Sequence, residues 1–181
     1  MIILFGPAGA GKSVQGHMLA ARYGWRWLSA GQLLRETRDV EFMEAMRRGE
    51  FIPDEKIRQV MGDALKNAAE IDRVILDGFP RQLQQAQWLL QAREVYSREI
   101  KAVIVLDVSR DVIEERLRIR GRADDTTEAI DRRLELFREE TSPILDYFLD
   151  NNIAVDHVDG SGSVGQVHDA VVEVLTERGA I

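Results

Sequence analysis

The chain contains no cysteine in 181 residues, so neither disulfides nor thiolate zinc sites can form. Histidine is sparse: His17, His157 and His168 are too scattered to suggest a metal or nucleophile site, and no Ser-His-Asp arrangement presents itself. No apolar run approaches membrane length, and the chain opens directly on a strand-like segment, which leaves no room for a signal peptide and makes a cytoplasmic location the expectation. Positive charge is in deficit, with 24 Lys and Arg against 31 Asp and Glu and a net charge of -7. That sign argues against general binding to nucleic acid or to acidic membranes. Internal repeats, low-complexity segments and Pro/Gly/Ser-rich linkers are also missing. With 45% hydrophobic and 30% charged residues, the length suits one globular domain with a substantial core.

What is present begins at once. Met1-Ile2-Ile3-Leu4-Phe5 has the length and apolarity of a buried parallel strand. It runs into Gly6-Pro7-Ala8-Gly9-Ala10-Gly11-Lys12-Ser13, which fits the phosphate-binding pattern G-x-x-x-x-G-K-[ST] at each fixed position. Glycines allow a tight backbone turn whose N–H groups converge on one anion. The next helix adds its positive end, Lys12 a full charge, and Ser13 a hydroxyl for a magnesium ion carried on the phosphates. A helical pattern follows through Val14, Met18, Leu19 and Arg22, with Gly24 as its stop.

Strand-like runs then alternate with helical patterns: Ile2 to Phe5, Trp25 to Leu28, Val74 to Leu76, Ala102 to Val108 and Ile153 to Val158. This rhythm predicts a parallel sheet with helices on both faces and ligands at the carboxyl ends of the strands. After the second run, Leu28 to Arg35 reads as a turn feeding a short helix; the polar, basic segment from there to Gly62 has two helices expected, separated near Gly49, with Pro53-Asp54-Glu55 reading as a helix start. It suits a substrate-binding flap and a plain helical insertion equally. Asp77 ends the third run at a strand tip, where it can hold magnesium through water, and Arg81 lies close by for a bidentate phosphate contact. Gln82 to Tyr96 reads as a helix. Arg116, Arg118, Arg120 and Arg122 form a local basic stretch, either a solvated helix end or a clamp for a transferring phosphoryl group. Thr126 or Thr127 suits a helix cap, and Ser142-Pro143 is expected to end or kink that helix. Trp25, Trp27, Tyr147 and Phe148 read as core or flank residues. A last amphipathic helix is expected from Val164 to about Arg178.

The chain resembles the adenylate kinase family and, more broadly, the nucleoside monophosphate kinases, over nearly its full length. Five blocks carry the resemblance in family order: Gly6 to Lys12, Leu28 to Arg35, Gly49 to Glu55, Asp77 to Arg81, and Arg122 to Asp125 with Arg133-Leu134 beyond. The resemblance implies a three-layer α/β/α P-loop nucleoside triphosphate hydrolase-like fold with a five-stranded parallel sheet. It implies one domain, with a core of residues 1–28, 62–118 and 126–181, a monophosphate-binding flap at 29–61 and a short lid at 119–125. The implied reaction is magnesium-dependent transfer of the γ-phosphoryl of ATP to a nucleoside monophosphate, AMP favoured, without zinc.

In family terms Gly9, Ala10, Gly11, Lys12, Ser13 and Val14 hold the ATP phosphates, and Gly162 lies against the ATP adenine. Ala30, Arg35, Phe51, Ile52, Gly78, Phe79, Arg81 and Gln85 match the monophosphate site. Arg120, Arg122 and Arg133 match the arginines that close over both nucleotides and, with Lys12 and Arg81, serve catalysis. Ser13 and Asp77 match the magnesium positions, while Asp124 and Asp125 order the closing arginines.

Departures from the pattern are informative. Ser13-Val14 replaces the usual Gly-Thr. Ala30 stands where many adenylate kinases have Thr and pyrimidine monophosphate kinases often have Ala. Gln85 matches the family glutamine that reads adenine, and an amide left unpaired costs more than a missing hydroxyl, so AMP stays ahead of CMP and UMP. Gln32 replaces the usual acid. Only Gly121 separates Arg120 from Arg122, so the lid buries little substrate alone. The expectation is a monomer by default, with self-association allowed as a way of completing the closed site. A nucleotide-sensing module without transfer activity is the alternative of another class.

Overall fold

A computed structural model describes residues 1–181. Five parallel strands form one sheet in the order β2-β3-β1-β4-β5: β1 Ile2–Phe5, β2 Arg26–Ser29, β3 Val74–Asp77, β4 Ala102–Asp107 and β5 Val155–Asp159. Alternate side chains of each strand feed opposite faces. Ile3, Phe5, Leu76, Val103 and Val105 join the larger core, and Ile2, Leu4, Ile75, Ile104 and Leu106 join the other. Helices cover both faces: α1 Lys12–Tyr23 and α8 Val164–Glu177 lie over the second core, α5 Leu83–Val95 and α7 Thr127–Asp150 over the first. Three layers and a parallel sheet follow, as the resemblance implies.

Three helices lie between β2 and β3: α2 Ala30–Thr37, and then α3 Val40–Arg48 and α4 Asp54–Asn67 on either side of Gly49. The break between α2 and α3 comes from Arg38 at φ 56° and from Asp39, whose carboxylate accepts from the N–H groups of Glu41 and Phe42. Pro53 sits at the N-cap of α4, and that helix runs unbroken past residue 61.

The last major helix of the first face differs from expectation. Pro143 neither ends α7 nor divides it, since the helix is continuous over 24 residues. Leu136 and Ile144, on either side of the proline, are both buried, and this packing outweighs the lost backbone hydrogen bond. Between α6 (Arg110–Arg120) and α7, Gly121 at φ 60° turns the chain, and Thr126 caps α7 by accepting from the Ala129 N–H.

Candidate active site

The carboxyl ends of β1, β2 and β3 open into one cleft of about 670 Å³. On one side is the loop from Gly6 to Gly11, with Gly9 at φ 86° and Gly11 at φ 101°, conformations that favour glycine. Gly9 is also a close approach, because a Cβ there would meet Leu117 Cγ at 3.0 Å and Ile113 Cγ2 at 3.1 Å. The loop thus rests on α6, and helix α1 points its N-terminus into the cleft. Lys12 Nζ is folded back, donating to the carbonyls of Gly6 (2.6 Å) and Pro7 (2.8 Å). Burial lowers its pKa to about 8; Asp77 opposes the shift, and Arg81 and Arg120 add to it.

On the other side stand Arg35, at the end of α2, and Arg81, after β3. Both have pKa values lowered chiefly by lost hydration, and each also feels the charge of Arg133. Arg81 Nε donates to the Gly78 carbonyl at 2.8 Å. The Gln85 side-chain oxygen accepts from the Arg81 backbone N–H at 2.8 Å, and its Nε2 donates to Gln82 Oε1 at 3.2 Å. Ala30, Phe51, Ile52, Gly78 and Gln85 line a second recess of about 50 Å³ between flap and sheet.

Arg120, Arg122 and Arg133 complete the wall. Arg120 Nε donates to Asp125 Oδ2 at 2.8 Å; Arg133 donates to Asp124 Oδ2 at 2.7 Å and to Asp125 Oδ1 at 3.2 Å. Burial pushes the Asp125 carboxyl up, but its bonds to Arg120 and the Arg122 N–H, with the charge of Arg133, leave it below the usual carboxylate range. A third donation from Arg133, to the Met46 carbonyl at 2.7 Å, ties α7 to the end of α3. The Arg122 guanidinium has no protein acceptor, although its backbone N–H meets Asp125.

Asp77 is almost fully buried, and its Oδ2 accepts from Ser13 Oγ at 2.7 Å. One carboxylate beside one hydroxyl is a poor cage for a resident metal, and no cluster of three or more acidic or histidine side chains exists elsewhere. It suits a hydrated magnesium ion that arrives on phosphate and keeps most of its waters.

The structure therefore gathers Gly9 to Val14, Arg35, Phe51, Asp77, Gly78, Arg81, Arg120, Arg122, Arg133 and Gly162 around the main cleft, with Ala30, Ile52 and Gln85 in the adjoining recess. Phe79 is the exception. Its ring is buried against Trp88, with centroids 5.8 Å apart, and lines neither space. Two further residues of the site were not among those the resemblance carried over, although Arg116 belongs to the basic stretch read as a possible clamp. Arg116 spans from the Ala10 carbonyl (3.4 Å) to that of Gly162 (3.2 Å), and its position four residues before Arg120 on one helix face was the available signal. Trp27, read as a core or flank residue, does pack on the second core, and it also lines the cleft and donates to Asp77.

This geometry agrees with what the chain is similar to. The family model described as Adenylate kinase matches residues 4–153. The chain belongs to the adenylate kinase family. An adenylate kinase from Mycolicibacterium paratuberculosis is 39% identical over 163 residues, covering 87% of this chain and 90% of the relative. Adenylate kinases from Mycobacterium tuberculosis and Mycobacterium leprae are 37% and 33% identical over 180 residues, covering 96% of this chain and 98% of each relative. This adenylate kinase family member thus joins a P-loop to an arginine-lined wall in a single cleft. No helix in it is long and apolar enough to cross a membrane.

Proposed function

We propose that the chain catalyses reversible transfer of the γ-phosphoryl group of ATP, bound with magnesium, to AMP, giving two ADP. The observation that carries this reading is the cleft itself: the phosphate loop and the Arg35–Arg81 pair face one space and share the cations Arg120, Arg122 and Arg133. An AMP phosphate oxygen attacks the γ-phosphorus, the bond to the β-phosphate bridging oxygen breaks, and that oxygen leaves with ADP. No side chain needs to form a covalent intermediate. Lys12 and the arginines hold donor and acceptor in line and neutralise charge spread over the transferring group. Ser13 and Asp77 would hold the hydrated magnesium ion, which supplies further neutralisation of the phosphates.

Residues 29–61 serve as the acceptor flap and 119–125 as the lid. Helix α4 is continuous from Asp54 to Asn67, so the boundary at 61 falls within one helix. A monomer is the expected state, and sedimentation of the active protein tests it.

AMP is favoured by Gln85, whose amide oxygen is pinned while its Nε2 has only a long bond to Gln82 to exchange for a base edge. Ala30, in the wall of the recess, favours CMP or UMP as the second reading. The decisive assay measures ADP formed from ATP and magnesium with AMP, CMP, UMP and GMP offered separately. Preference for AMP supports the first reading and preference for CMP or UMP the second. Bound ATP without transfer to any of them establishes a nucleotide-sensing module.

A further inference from the structure

We infer that Trp27 is a positioning residue for the Asp77 carboxylate, and that Gly16 is the notch that lets it act. The sequence places the pair where pleat and helix meet. Trp27 pairs with Ile75 and Ser29 with Asp77, so Trp27 and Asp77 project from neighbouring strands toward the same face, the one covered by α1. The indole Nε1–H donates to Asp77 Oδ2 at 3.3 Å, the same oxygen that accepts from Ser13. Oδ1 takes no hydrogen bond from the protein. One side of the carboxylate is thereby anchored twice, and the other is left for the water shell of the magnesium ion.

A glycine inside a helix is unfavourable against alanine, so one that faces a strand calls for a packing reason. Gly16 has one. A Cβ there would lie 2.4 Å from Trp27 Cδ1 and 2.5 Å from Nε1, so any side chain at this position displaces the indole. On its other side the ring packs on the exposed His17, with centroids 4.0 Å apart at 46°. The indole is held in a slot from which its one polar atom reaches Asp77.

The inference rests on the assignment of Asp77 to the magnesium shell, and the test separates the two. Binding of a non-hydrolysable ATP analogue is measured by calorimetry with excess magnesium and with EDTA, and the ratio of the two affinities is read. Asp77→Asn should bring that ratio close to one. Trp27→Phe keeps a ring in the slot and removes only the N–H; it should lower the ratio about five- to tenfold, the size of one ordinary hydrogen bond, as suits its 3.3 Å length, with the EDTA affinity unchanged. Gly16→Ala keeps the indole but displaces it, and should lower the ratio equally. A merely structural role would move both affinities together. A wild-type ratio in Trp27→Phe and Gly16→Ala, with the ratio lost in Asp77→Asn, overturns the role of Trp27 and leaves that of Asp77 standing. A wild-type ratio in Asp77→Asn overturns both.

Discussion

Lys12 shows how much of this site depends on single charges. Its ammonium is bonded to its own loop at rest, and it must turn outward to meet a triphosphate. Lys12→Met should lower kcat by roughly two to three powers of ten, with the unfolding midpoint preserved, because the charge acts in the transition state and not in the core. Its pKa near 8 gives a second expectation. The ammonium is charged below that pH and loses its proton above it, whereas bound phosphates favour the charged form and raise the pKa. The pH profile of kcat/KM for ATP, which reports the free enzyme, should therefore fall above about pH 8, and that of kcat should stay level to higher pH. Arg81 faces the acceptor side, so Arg81→Ala should raise the AMP KM as well as lower kcat. An unchanged KM would show that Arg81 does not grip the monophosphate.

At the scale of elements, the end of α3, within the segment proposed as the flap, meets α7 at Gly49. That glycine ends α3 at φ 72°, and a Cβ there would stand 2.6 Å from the Ala129 carbonyl of α7. Gly49→Ala combines left-handed strain with a backbone clash and should cost about 2–4 kcal/mol of stability, read from urea unfolding. The core strands were legible because Ile2 to Phe5 and Ala102 to Leu106 are apolar on both faces, as buried parallel strands must be. The exact break between α2 and α3 was harder to see, since it depends on Arg38 entering the left-handed region and on Asp39 capping α3. Pro143 misled for a related reason: local rules foresee a break, and tertiary burial overrides it. In the candidate site, the phosphate loop and the arginines could be read from spacing, since motifs compress geometry into sequence. Phe79 and Trp27 could not. Each is decided by which way a side chain turns at a strand end, and Trp27 becomes visible only once β2 is paired with β3 and set against Gly16.

For the whole molecule, net charge and local charge have opposite sign. A chain of net charge -7 collects Lys12, Arg35, Arg81, Arg116, Arg120, Arg122 and Arg133 around one cleft. Attraction of nucleotides to such a focus is screened by salt, so KM for both substrates should rise about several-fold between 0.05 and 0.5 M potassium chloride, with kcat far less affected. The resting cleft also keeps most of these cations engaged. Lys12 is held by two carbonyls, Arg120 by Asp125, and Arg133 by both acids and by the Met46 carbonyl of α3. A phosphate that recruits any of these cations must first replace the carbonyl or carboxylate that holds it, so each charge is handed from the chain to its ligand and is never left bare between the two.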